Sequence, residues 1–231
     1  WAVISAAGAP PLHNSTGSST MPEFPFHFQD SKDFCGPTCL VMMLQSQMES
    51  RNLPFDFPRQ STLLNLIKAK CQTGCSYFIS SPEGLEAVAN DQLQLRGATD
   101  LSYSIYPPQI AGGGAPDFAA EIRACLDQTG APVFALIESG GHWVLLYGRA
   151  EGFFNVRWPT PFSDSDDASR MHDSGCTLCP ETSDGVMSES AFLSYLLPVL
   201  NATAGKWTSQ TVLLTPRTPA FGGAPPGPGA V

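Results

Sequence analysis

With 231 residues, 42% of them hydrophobic and only 14% charged, the chain can bury one medium-sized core and does not read as disordered. Its net charge of −9 would repel phosphate backbones, so no nucleic-acid partner is expected. No apolar run of about 18 residues occurs, so no membrane span or membrane partner is expected either.

The first residues, WAVISAAGAP, lack the basic start and long apolar stretch of a signal peptide. A start at Trp1 rather than Met leads us to expect a processed piece, an excised segment or the remainder of a larger polypeptide. Residues 1–22 are rich in Ser, Thr, Gly, Ala and Pro and are expected to form a flexible arm. Residues 216–231, PRTPAFGGAPPGPGAV, are expected to form a second, Pro/Gly-rich one. The working domain is placed between them, at residues 23–215.

The first strong helix signal is PTCLVMMLQSQMES, directly after Cys35-Gly36, with Pro37 suited to a first helical turn. Cys35 is thereby predicted at a helix N-terminus. Further helices are predicted at STLLNLIKAK (61–70), at SPEGLEAVANDQ (81–92), where a serine precedes Pro-Glu, and at DFAAEIRACLDQ (117–128). Residues 98–116 between them are read as loop-rich, a groove border or a plain surface loop. From residue 131 the period changes, and APVFALIE, HWVLLYGR and FFNVRW, parted by Gly-Gly and Glu-Gly, read as consecutive antiparallel strands. A helix at SESAFLSYLL (188–197) and a strand at QTVLLT (210–215) close an α+β plan.

Seven cysteines are an odd number, so at least one thiol is unpaired or joins another chain. Besides Cys35 and Cys39, the chain carries Cys71 and Cys75, Cys125, and Cys176 and Cys179. The two close pairs are open to disulfides, bland buried thiols or a structural zinc site, the C-x3-C spacing being a loose match to zinc patterns.

Three residues point to chemistry when taken together: Gln29, Cys35 six positions later, and His142 far downstream after Gly140-Gly141. A cysteine at a helix start has its thiolate stabilised by the positive end of the helix dipole, and a neighbouring imidazole lowers its pKa further. Attack on a carbonyl creates an oxyanion, which a glutamine amide and the cysteine's own backbone N–H are equipped to hold. No cofactor and no metal are required by that chemistry. Taken singly, each has an ordinary reading: a loop glutamine, a buried helix cysteine and a strand histidine.

The segment QDSKDFCGPTCLVMML resembles the Gln-x5-Cys-Gly-x-x-Cys-Leu segment of the C39 and C39-like bacterial peptidases of the papain-like superfamily. The likeness continues through SPEGLEAVAN, APVFALIESGGHWVLLYGR and SESAFLSYLL, and covers roughly residues 24–200. It implies a papain-like fold, with the cysteine helix packed on an antiparallel sheet that carries the histidine. It also implies Gln29 as oxyanion-hole residue, Cys35 as nucleophile, His142 as general base and acid, and Cys39 as a core residue. Where the family has an aspartate or asparagine, this chain has Trp158 before Pro159, and an indole cannot accept a hydrogen bond from the imidazole. Asn155 is the nearest substitute, reached by a register shift at the Gly152 hairpin. Asp164, Asp166 and Asp167 in the next loop are a solvated run or a reach-back alternative. The remaining option is a Cys-His dyad covered by Trp158. Trp143 alternates to the other sheet face and is expected in the core, and His13, His27 and His172 on the surface.

The reaction expected is hydrolysis of an amide bond in a peptide or protein substrate, through a thioester on Cys35. Two alternatives stand beside it: a deamidase or transglutaminase-like bacterial effector toxin using the same pair, cytoplasmic or delivered, and a degenerate domain that binds peptide without cutting it. A zinc-dependent module on Cys71, Cys75, Cys176 and Cys179 is a third class.

Overall fold

Helix α1 (Cys35–Ser50) begins with Cys35 itself, and Pro37 falls in its first turn, where a missing N–H removes no intrahelical bond. From Cys39 to Leu44 every side chain is buried, so α1 is enclosed all round rather than lying on the surface. The computed structural model describes residues 24–30, 34–71, 80–106, 117–137, 142–159, 177–179, 184–196 and 212–218. The expected arms, apart from Thr218 and the residues just before it, lie outside these, as do Cys75, Cys176, His13, His172 and the aspartates at 164, 166 and 167.

Helices α2 (Gln60–Lys70) and α3 (Pro82–Leu95) follow, then α4 (Phe118–Thr129). The cap predicted for α3 is present, the Ser81 hydroxyl accepting from the Gly84 N–H, and Asp117 caps α4 in the same way, its carboxylate accepting from the Ala120 N–H. Helix α4 ends at Gly130, whose left-handed backbone (φ 62°) suits a residue without a Cβ. A last helix, α5, spans Glu189–Leu196.

Seven antiparallel strands form one sheet: β1 (Ser102–Tyr106), β2 (Val133–Ile137), β3 (His142–Ala150), β4 (Phe153–Arg157), β5 (Thr177–Cys179), β6 (Asp184–Ser188) and β7 (Val212–Arg217). Their spatial order is β1-β7-β2-β3-β4-β6-β5. Two expectations are corrected here. Residues 102–106 are an edge strand within the stretch read as loop, paired with β7 from Ser102 opposite Arg217 to Tyr106 opposite Leu213. The tail expected from residue 216 gives its first two residues to β7, where Pro216 lies opposite Tyr103.

Both sheet faces are covered. One core joins α1, α2 and α3 to Tyr103, Phe134, Leu136, Trp143, Leu145 and Leu214. The other joins α4 and Phe192 to Val133, Ala135, Val144, Leu146, Phe154, Val156 and Trp158. This explains why β2 reads VFALI with no polar alternation: a strand covered on both faces needs apolar residues at every position. The plan is α+β with an antiparallel sheet, as the sequence led us to expect.

Candidate active site

The start of α1 meets the start of β3, and Trp143 makes the junction. Its indole N–H donates to the Ser80 carbonyl at 2.9 Å, and its own carbonyl accepts from the Cys39 thiol at 3.4 Å. Gly36 is needed for this approach: a Cβ there would lie 2.6 Å from the Ser80 Cβ and 3.3 Å from the Trp143 ring. Cys35 precedes that glycine and His142 precedes that tryptophan, so the packing brings the two predicted reactive residues to the same end of the sheet. Trp143 is a core residue, as expected from its alternation.

Cys35 is buried, with 8% of its surface exposed. Phe34, at the N-cap, offers no side-chain oxygen to the first turn, whose N–H groups make the positive end of the helix beside Cys35. Two other described cysteines, Cys39 and Cys125, have raised pKa values. Burial pushes the Cys39 thiol well above its usual range, and Cys35 adds to the effect. Burial, then the Glu121 carboxylate, pushes Cys125 up to about 12. Both thiols are held neutral and hydrogen-bonded, which makes them inert packing residues.

His142 opens β3 opposite Ile137 and is partly buried. Its ring stacks on Trp158 with centroids 5.1 Å apart and planes 25° from parallel. Loss of hydration pushes its pKa down to about 4. The imidazole is therefore neutral at pH 7, the form that can take a proton.

The register of β3 and β4 decides the orienting residue. Leu145 pairs with Arg157, which carries Trp158 to the level of Val144, diagonally across from His142. Trp158 thus occupies the place beside the imidazole that a triad would give to an acid or amide. Asn155, the sequence-based substitute, pairs with Gly148 and Val186. Its amide nitrogen would sit 2.9 Å from a Cβ on Gly148, so it packs over that glycine. Gly148 is six residues along β3 from His142, about 20 Å at strand rise. Asn155 cannot orient His142, and that expectation is corrected: the strand irregularity between Leu146 and Gly148 shifts the pairing far too little.

Gln29 lies on an extended strap, residues 24–30, which crosses the same end of the sheet. Its backbone N–H donates to the carbonyl of Pro159, next to Trp158, at 3.2 Å. Strap and α1 are tied together by Gln60, the first residue of α2. The Gln60 amide donates to the Phe28 carbonyl at 2.7 Å and accepts from the Asp30 N–H at 2.9 Å and from the Thr38 hydroxyl at 2.8 Å. Sequence reasoning did not single out Gln60; its one signal is a polar residue at a helix start where the chain buries it.

At the strap's other end Arg157 is fully buried. It donates to the Phe24 carbonyl and lies 5.4–5.9 Å from the rings of Phe24, Phe26 and Tyr147. His27 is partly buried and hydrogen-bonded to Gln45 at 2.7 Å, so the surface expected for it gives way to a strap contact.

No protein-family model matches the chain, and no curated protein does. One solved structure it is similar to is the peptidase domain of Streptococcus ComA, a bi-functional ABC transporter involved in a quorum-sensing pathway. That likeness has 14% sequence identity and a TM-score of 0.43, over 84% of this chain and 99% of that one. Among the described residues, no group of three or more His, Cys, Asp or Glu side chains is arranged to hold a metal. No described helix is long and apolar enough to cross a membrane.

Proposed function

We propose that the chain is a papain-like cysteine hydrolase that cleaves an amide bond in a peptide or protein through a thioester on Cys35. The observation that carries this reading is the junction of α1 with β3 through Trp143, which holds a helix-start cysteine and a strand-start histidine at one end of the sheet. Neutral His142 takes the thiol proton as Cys35 sulfur bonds to the substrate carbonyl carbon. The carbonyl oxygen becomes an oxyanion, held by the Gln29 amide and the Cys35 N–H. The imidazolium returns its proton to the leaving amine as the carbon–nitrogen bond breaks. Water, deprotonated by His142, then attacks the thioester and releases the carboxylic acid and the Cys35 thiol.

A second reading has its own support in the His142–Trp158 stack. Burial beside an indole holds this imidazole at about 4 and disfavours the charged form that proton transfer from Cys35 would create, which suits a degenerate domain that binds peptide without cutting it. A deamidase or transglutaminase-like effector would use the same Cys35 and His142 with a glutamine side chain as acyl donor.

Iodoacetamide at neutral pH separates activated from degenerate. Cys35 is expected to alkylate faster than a small reference thiol, while Cys39 and Cys125 stay unmodified in the folded protein. A Cys35 rate no greater than that of the reference thiol would leave only the binding module. For an active protein, the mass of a candidate substrate after incubation with wild type and with Cys35→Ala distinguishes cleavage from deamidation.

A further inference from the structure

We infer that Gln60 is a positioning residue that sets the oxyanion donor against the nucleophile, an inference that rests on the roles proposed for Cys35 and Gln29. Gln60 brackets Gln29 on the strap: its amide N–H2 is spent on the carbonyl of the residue before, and its amide oxygen on the N–H of the residue after. A side chain that pins both neighbours leaves the residue between them little freedom to rotate or translate. The same oxygen accepts from Thr38, whose single hydroxyl hydrogen is shared with the Phe34 carbonyl at 2.7 Å. Thr38 lies in the first turn of α1, one turn from Cys35. One buried amide therefore spans the strap that carries the oxyanion donor and the helix end that carries the sulfur. Its orientation is fixed, because exchanging its oxygen and nitrogen would set donor against donor at Asp30 and acceptor against acceptor at Phe28.

The chemistry makes this separable from a role in stability. Alkylation by iodoacetamide is a displacement at a tetrahedral carbon: sulfur bonds to carbon, iodide leaves, and no oxyanion forms. Acylation by p-nitrophenyl acetate passes through a tetrahedral oxyanion: sulfur bonds to the acetyl carbon, p-nitrophenolate leaves, and water later releases acetate. Only the second reaction needs the donor that Gln60 holds in place.

The test measures both rates in wild type, Gln29→Ala, Gln60→Leu and the double variant. Gln60→Leu is expected to keep the alkylation rate within about two-fold and to lose about ten-fold or more in acylation, since a full oxyanion donor is worth roughly 10²–10³. The double variant is expected to acylate no more slowly than Gln29→Ala, because the two act as one unit. Wild-type acylation by Gln60→Leu, or a double-variant loss equal to the product of the single losses, would overturn the inference while leaving Gln29 in its role. Wild-type acylation by Gln29→Ala would instead overturn the oxyanion role of Gln29, and the inference with it. Should Gln60→Leu fail to fold, Gln60→Glu decides, since it keeps the length and the acceptor and loses the donor to Phe28. It is expected to show the same split between slowed acylation and retained alkylation, and unchanged acylation would overturn the inference.

Discussion

Burial of His142, whose ring stacks on Trp158, lowers its pKa to about 4 and makes the imidazole a sensor of acid. In the unfolded chain a histidine titrates near 6.5. Above about pH 6.5 the ring is neutral in both states and adds no pH dependence. As pH falls from there toward about 4, the unfolded chain takes up a proton that the folded protein refuses, so stability declines, and the decline ends below about 4. The full effect is on the order of 3 kcal/mol. Urea melts of wild type and His142→Gln between pH 7 and 4 check it, and equal pH dependence in the two proteins would refute the assignment. Gly36→Ala tests the neighbouring contact. Its Cβ would fall 2.6 Å from Ser80, so the start of α1 must move, at a cost of roughly 1–3 kcal/mol. Slower alkylation of Cys35 is expected with it, and an unchanged rate would separate the helix start from the reactivity of the thiol.

Between elements, the pairing of β3 with β4 fixes which residues share the site. Asn155 is far along the ladder from His142, so Asn155→Ala is expected to leave the iodoacetamide rate of Cys35 within about two-fold of wild type. A loss of ten-fold or more would reinstate it as an orienter. Helices α1, α3 and α4 were legible in sequence because each carries its own start signal: Pro37 in α1, Ser81 before α3, Asp117 before α4. The strands β2, β3 and β4 were legible from their apolar runs. Strand β1 was not, because only Tyr103 among its residues is buried and an edge strand needs no strong pattern. That Cys35 opens a helix and His142 a strand could be read from local context, but the distance of Asn155 from His142 could not. It depends on a register of paired residues that no single segment encodes.

At the scale of the molecule, the strap is the part added to the sheet, and Arg157 holds its Phe24 end as Gln60 holds its Gln29 end. A buried guanidinium reaching one carbonyl and three rings is replaced poorly by an alkyl chain. Arg157→Leu is expected to cost about 2 kcal/mol or more. Because Gln29 rides on the strap, acylation should fall more than alkylation, and parallel losses in both would assign Arg157 to stability alone. The net charge of −9 is spread over a surface that keeps ion pairs such as Arg149–Asp127, exposed and of small energetic weight. The strand order has a kinetic side. Among the described residues β7 is the last strand, yet it lies between β1 and β2 and is the sole partner of β1. A chain cut at residue 210 would lose a seam rather than a margin, and should be recovered unfolded or aggregated. During synthesis the sheet cannot close until its final strand has emerged, so everything made earlier must wait with its central edges open.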